Sequence, residues 1–417
     1  MKTRSIPLLR KDFTLVVLGQ IISLFGNAVL RFALPLYLLR ETGSATLFGA
    51  VSASAFVPMI LCSLLGGVLA DRVNKRKIMV WLDFGTAALV LGFYLLHGNV
   101  PLVPLMTICL MLLYGISGTY SPAVQASIPA LLPPEQLMQG NAVINMVNTL
   151  SGLLGPVIGG VLFGTWGIGP ILILSSACFA CSAVMELFIR IPGAAPPRTA
   201  GVWATVGADL QESWRYIKTE KPVFLQVVLV LALFNLLLSA VLIVGLPLLV
   251  VNFLGMSDAA LGLTQGAMGL GGLAGGILAG VLGGKLKLRY GHWVLAACSL
   301  TAAAMGLAVL PGVPASWGYG LVTLMGFAAM AVSTVFVVLL SAVVQQQTPP
   351  HLLGKIMALI LAIANCSSPL GQALYGALFQ AMAAAPWAVM LGAGGAALLV
   401  SLYSKNVFLR LEQGQEG

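Results

Sequence analysis

Long apolar runs alternate with short polar breaks along the whole chain. Divided at glycine, proline and charged clusters, the runs predict helical spans over residues 13–39, 46–70, 78–97, 102–127, 140–166, 169–189, 222–250, 258–284, 290–310, 316–345, 353–382 and 386–408. A helix needs about 20 apolar residues to cross a bilayer, and each run supplies them. The predicted fold is an all-α integral membrane protein with twelve transmembrane helices. The longest break is polar and proline-bearing (IPGAAPPRTAG), with an amphipathic helix predicted around ADLQESWRYIKTE. It divides the chain into an N-terminal six-helix bundle (1–190), a linker (191–221) and a C-terminal six-helix bundle (222–417).

The two bundles repeat each other at an offset near 214: GGVLADRVNKRK (66–77) aligns with AGVLGGKLKLRY (279–290), and LLPPEQLMQGNAV (131–143) with QQTPPHLLGKIMAL (346–359). Repeated whole bundles point to alternating access, with a ligand site near the membrane midplane.

Composition agrees with the pattern. Of 417 residues 59% are apolar and 8% charged, and the mean hydropathy is +1.00. A soluble domain carries about 25% charge, so a soluble enzyme, a disulfide scaffold and a disordered chain are excluded. The net charge of +9 would suggest nucleic acid in a soluble protein, but its placement argues otherwise. On the amino-terminal side of the predicted spans lie 19 basic residues, against Arg40 alone on the other side, with Arg31 inside the first span. This asymmetry predicts both termini in the cytoplasm of a cell whose inner membrane holds the chain, and no nucleic-acid partner. The opening MKTRSIPLLRKDF has the charge of a signal-peptide start, yet the run behind it is too long and lacks a cleavage site. It is read as the opening of the first span. Cys178 and Cys181 form a C-x-x-C pair without a second pair or a nearby histidine, so they are read as packing residues. No metal site and no cofactor are expected.

The strongest motif is GGVLADRVNKRKIM, between spans two and three. It resembles the major facilitator superfamily signature G-x-x-x-D-R-x-G-R-K-x-K, carried here by Gly67, Asp71, Arg72, Lys75, Arg76 and Lys77. Asn74 stands at the turn glycine, where asparagine is the next best residue for positive φ. The resemblance implies the major facilitator fold, with this loop latching the two halves on the cytoplasmic side. Asp71 would face the positive amino-terminal end of span eleven, and Gly284 breaks the second copy of the motif. In span five, Gly155-Pro156-x-x-Gly159-Gly160 resembles a motif of exporters in that superfamily, although Ser151 and Ala142 replace its upstream glycines. Gly152, Gly155 and Gly159 share a helix face suited to close packing, and Pro156 bends the helix. Span eight carries a comparable ridge at Gly272, Gly276, Gly280 and Gly284. The chain also resembles the macrolide-efflux and enterobactin-exporter branch through FALPLYLLRETGS (32–44), SPAVQASIPALLPPEQL (121–137) and HLLGKIMALILAIANCSSPLGQALYGALF (351–379). That branch implies export of amphiphilic small molecules, with protons as coupling ion.

Polar stripes mark candidate ligand contacts. Gln20, Ser23, Asn27 and Arg31 share one face of span one, Thr107, Tyr114, Ser121 and Gln125 one face of span four, and Thr334, Ser341 and Gln345 one face of span ten. The resemblance places spans one, four and ten at the cavity. Arg31 either faces that cavity or snorkels to the outer surface. Asn365, Ser368, Gln372 and Tyr375 form a further row in span eleven. Glu186, four residues before Arg190, is expected in a surface ion pair, and Asp83 beside the basic loop. Neither reads as a proton carrier, and span one holds no carboxylate. The expected function is export of a drug, antibiotic or siderophore-like molecule by a monomer contacting membrane lipids. A lipid or lysophospholipid flippase is the alternative. A membrane enzyme would need a nucleophile and base, or a metal cluster, at one depth, and the sequence offers none.

Overall fold

The computed structural model describes residues 11–191, 202–282, 288–349 and 352–413. Its helices are α1 Lys11–Thr42, α2 Ala45–Arg72, α3 Lys75–Leu96, α4 Leu102–Leu131, α5 Leu137–Trp166, α6 Ile168–Glu186, α7 Val202–Thr219, α8 Val223–Phe253, α9 Asp258–Leu282, α10 Gly291–Leu307, α11 Ala315–Gln347, α12 Leu353–Ala381 and α13 Pro386–Gln413. Among the described residues eleven helices are long and apolar enough to cross a membrane. The amphipathic α7 is not one of them, and α10 has 17 residues. At 1.5 Å per residue α10 rises about 26 Å, short of the roughly 30 Å hydrocarbon layer. A separate tight turn, Leu288–Tyr290, precedes it, where the sequence predicts one run over 290–310.

Large apolar side chains cover the outside. Trp81, Trp293 and Leu370 are each about two-thirds or more exposed (74%, 67% and 68%). A soluble protein could not present such a surface, whereas lipid wets it. Prolines stand within α1, α2, α4, α5, α8 and α12. Membrane helices tolerate this because neighbouring turns take up the freed backbone groups. In α8 two turns widen to i→i+5 bonding, over Asn235–Ser239 and over Leu248–Phe253 just after Pro247. The Leu254 amide donates to the Leu249 carbonyl at 2.9 Å in the second of them.

The helices gather into two compact units, one built from the described chain up to Leu38 with Ser54–Val202, the other from Leu39–Ala53 with Trp203–Gly417. In the first unit α3 packs on α6 and α4. Its α5 approaches α1 through glycine: a Cβ on Gly155 would lie 2.3 Å from the Ala28 Cβ, and one on Gly159 3.2 Å from Phe32. Gly160 is buried as well, and Pro156 sits inside the helix. Gly152 departs from the expected face, with open space where its Cβ would be.

In the second unit α9 lies on α11. The contact is made at Gly271 and Gly275, whose added Cβ atoms would each stand 2.2 Å from a backbone oxygen, of Phe327 and Ala331. The ridge expected at Gly272, Gly276 and Gly280 is therefore one position out of phase. Gly276 and Gly280 meet open space, and Gly284 lies outside the described residues. The ends of α1 and α2 also belong to this unit. There Arg40 binds Asp258 at 2.8 Å, and the Ala45 amide donates to Gln380 Oε1 at 2.8 Å. The linker helix α7 docks by Tyr216 and Ile217, and Glu212 pairs with Lys355 at 2.7 Å.

Candidate functional site

The site grows from the polar faces of α1, α3, α4 and α6 in the first unit. Periodicity puts them inside. On α3 the buried positions Met79, Asp83, Thr86, Ala87 and Val90 recur at helical spacing, and on α6 Ser175, Phe179, Ser182, Ala183 and Glu186 do the same. The two acids thus sit on the faces by which α3 and α6 pack.

Their partners are neutral. Tyr120 of α4 donates its hydroxyl proton to Glu186 Oε1 at 2.7 Å, and Gln20 of α1 donates to the Tyr120 oxygen at 2.6 Å. Ser23 donates to Asp83 Oδ1 at 3.1 Å, and Ser182 donates to the Gly19 carbonyl at 3.0 Å. Asp83 is 2% exposed and Glu186 0%. The second oxygen of each carboxyl, Asp83 Oδ2 and Glu186 Oε2, has no hydrogen-bond partner. Neither acid has a basic partner within 4 Å among the described residues.

This corrects two expectations. Glu186 does not pair with Arg190 at a surface; the helix turns it into the bundle, while the Arg190 amide donates to Asp12 at 2.9 Å. Asp83 does not join the basic loop, because two turns of helix carry it to the buried face of α3. The loop itself is held differently. Asn74 has φ −60°, so no positive φ is needed at the turn; its side chain instead caps α3, accepting from the amides of Arg76 at 3.0 Å and Lys77 at 3.4 Å. Arg76 donates to the Leu187 carbonyl at the end of α6, a favourable place for a cation. Gly67, Asp71 and Arg72 fall on the last turns of α2, and as side chains they lie outside the described residues, as does His351.

A polar cavity of about 60 Å³ opens beside this network, lined among others by Gln20, Ser23, Asn27, Asp83, Tyr120 and Gln125. It has room for a few water molecules but not for a drug, which needs about 300–1,000 Å³. Larger hollows of 490 and 700 Å³ are apolar and wide open on the outer faces, at Pro58–Ile108–Thr119 and at Leu307–Trp317–Leu324. They are lipid-facing grooves by their lining.

Arg31 points along α1 into the unit. Its Nε donates to Asn27 Oδ1 and one terminal nitrogen to Ser117 Oγ, both at 2.9 Å, and its guanidinium stacks 4.1 Å over the Tyr114 ring. Phe56 lies against the other partner of that stack, 5.4 Å from Tyr114. No carboxylate neutralises Arg31 among the described residues. Of the remaining expected contacts, Thr107 and Thr334 bond only their own helices, to Val103 and Met330. Ser341 and Gln345 lie on α11 in the second unit and do not line the polar cavity. Tyr120 lies outside the polar stripes of the sequence, and the structure brings it together with Glu186 and, across the same cavity, Asp83. The buried-face spacing of α3 and α6 marks the two acids.

The Major Facilitator Superfamily model matches residues 16–372. Macrolide efflux protein A of Streptococcus pyogenes is 24% identical over 371 residues, covering 87% of each chain. Multidrug efflux pump Tap of Mycolicibacterium fortuitum is 24% identical over 380 residues, covering 89% of this chain and 90% of its own. Among solved structures, the nucleoside transporter NupG superposes with a TM-score of 0.74 at 14% identity, covering 96% of this chain and 100% of its own. A bacterial metal transporter gives 0.68 at 18% identity, covering 97% and 99%.

Proposed function

Because the chain belongs to the Major Facilitator Superfamily, we propose that this multi-pass membrane transporter exports small amphiphilic organic molecules from the cytoplasm by proton antiport. Alternating access between two six-helix bundles supplies the movement. The observation that carries the reading is the near full-length similarity to two efflux pumps. The count of 19 basic residues against one supports cytoplasmic termini. Asp71 and Arg72 act in the latch between the halves, and Gly155, Pro156, Gly159 and Gly160 keep α5 against α1 as the bundle moves.

Arg31 sets the preference among substrates. A half-buried guanidinium with two neutral partners and an aromatic ring beneath it attracts an anionic or hydrogen-bond-accepting group. Asn27 and Tyr114 orient it. The polar cavity, too small for a drug, serves water rather than the exported molecule.

Expression in a bacterial host stripped of its own efflux pumps tests the reading. Lower accumulation of, and resistance to, a panel of macrolides and amphiphilic dyes is the expected result. Rescue of lipid remodelling without any drug protection would overturn export of drugs in favour of a flippase. Asp71→Asn should leave insertion intact and strongly reduce export; full export at normal expression removes Asp71 from the latch.

A further inference from the structure

We propose that Asp83 and Glu186, the latter held by Tyr120, form the site at which the transport cycle binds and releases its proton. The proposal rests on the antiporter reading and assigns a place to the coupling ion. Three observations converge on it.

The first is the missing countercharge. A carboxylate in the interior of a membrane bundle is costly unless it is paired. Asp83 and Glu186 are both fully enclosed, and neither has a cation beside it among the described residues. A bound proton removes one charge from the cluster without calling for a metal or a lysine.

The second is vacancy for that proton. Each carboxyl spends one oxygen on a neutral donor, Ser23 or Tyr120, and leaves the other unbonded. The titratable or charged groups facing the pair are few. Tyr120 comes from α4, and the two acids come from α3 and α6, which pack together. Around them α1 contributes Gln20 and Ser23 and α6 contributes Ser182, none of which titrates in the ordinary range. Arg31 stands two turns further along α1 and is engaged with Asn27, Ser117 and Tyr114.

The third is access. Asp83 and Tyr120 line a cavity sized for a few waters, so a proton reaches Asp83 through water. Glu186 is one hydroxyl further in, behind Tyr120. In the balanced step a hydronium in the cavity gives its proton to a carboxylate oxygen, leaving water; release is the reverse. No other bond forms or breaks. The Tyr120 hydroxyl bonds Glu186 in either state, as donor to the carboxylate or as acceptor from the acid.

The second unit sharpens the assignment. At the repeat offset near 214, Gln20, Ser23, Asp83, Tyr120 and Glu186 correspond to Phe234, Leu237, Ala297, Thr334 and Val400. No acid stands at any of these positions and a threonine replaces the tyrosine, so scaffolding does not explain two buried acids in the first unit.

The full chain in liposomes, with Glu186→Gln and Asp83→Asn as near-isosteric variants, tests the site. Radiolabelled erythromycin is the transported probe. Exchange of erythromycin across the membrane needs binding and alternating access alone, whereas accumulation against its gradient needs a coupled proton. In the wild type erythromycin affinity should change with pH by a linkage factor on the order of 5–150-fold. Either variant should abolish that pH dependence and gradient-driven accumulation while keeping exchange. Infrared difference spectra recorded without substrate should show a protonated-carboxyl band that titrates in the wild type and is lost or shifted in each variant. Variants that keep pH-driven accumulation, or a wild type without a titrating carboxyl band, overturn the proposal. If the wild type does not carry erythromycin at all, the drug-export reading loses its support, and the infrared band alone decides the proton site.

Discussion

The two units repeat one another at an offset near 214, yet their interiors are built from different chemistry. In the first unit a chain of hydrogen bonds runs from Gln20 through Tyr120 to Glu186, with Asp83 and Ser23 beside it. In the second, Phe234 stands at the position of Gln20. It packs 5.8 Å from Phe336, which lies 5.9 Å from Phe408. Among the described residues the buried polar groups of that unit are hydroxyls and one amide, such as Thr264, Ser299, Gln372 and Ser401, and several bond a carbonyl of their own or a neighbouring helix. Both interiors satisfy the same helix geometry, so the fold does not demand the polar one. The difference places the buried acids in the first unit, while among the described residues the second buries hydroxyls and an amide but no acid.

What the units share is glycine at the tightest helix crossings, and disrupting it should have the largest effect. Gly155→Leu and Gly275→Leu would drive side chains into Ala28 and into the Ala331 carbonyl. Each should cost more than the about 1–3 kcal/mol typical of overpacking and lower the yield of folded protein in detergent. Gly152→Leu and Gly276→Leu meet open space and should leave that yield unchanged.

Exchanging chemistry between the units comes next. Phe234→Gln would place an amide in an aromatic cluster with no partner, costing roughly 1–3 kcal/mol, seen as a lower melting temperature. Tyr120→Phe should cost a similar roughly 1–3 kcal/mol by orphaning Glu186 Oε1 and Gln20. Unlike Phe234→Gln, it should also change the pH dependence of export. Equal effects of the two on that dependence would erase the functional contrast.

A smaller and selective effect is expected at Arg31. Arg31→Gln removes a charge-assisted contact worth about 1.5–3 kcal/mol for an acidic or polyphenolic substrate, and hardly alters export of a neutral one. Transport assays with such a pair of substrates check this. Equal loss for both would make the arginine structural. The smallest effect belongs to Arg40 and Asp258, a pair whose arginine is 43% exposed. A double-mutant cycle of Arg40→Gln and Asp258→Asn should give a coupling below about 1 kcal/mol.

The sequence made the helices legible because lipid demands one long apolar run per crossing, and that constraint is local. α1, α4, α8 and α11 all fall on predicted runs, and the charge cluster after α2 marked the turn to α3. Rotational phase was harder to read. The α9 ridge was misplaced by one residue because every fourth position from Gly271 to Gly276 offers two glycine rows, and only packing chooses between them. Asn74 was assigned to a backbone role, but its side chain serves as a helix cap. Glu186 was read by its distance in sequence from Arg190. Its partner, Tyr120, is 66 positions away, and only the tertiary fold joins them. Gln20, Asn27 and Arg31 stand out in the sequence because a polar stripe on an apolar helix is visible without any knowledge of its neighbours.

The widened turns of α8 hold slack. A turn bonded i→i+5 accommodates one residue more than an α turn, so Asn235–Ser239 and Leu248–Phe253 each carry a surplus residue within an otherwise continuous helix. The first surplus lies where Gly371 of α12 comes against the Leu236 carbonyl, an added Cβ there standing 2.2 Å from the oxygen. Counting residues at a constant angle along α8 therefore loses its phase after Ser239, and again within Leu248–Phe253 at its end. Deleting one residue inside such a turn would tighten it to an ordinary α turn and leave the faces on either side in place, whereas the same deletion in α1 would rotate everything beyond it by about 100°.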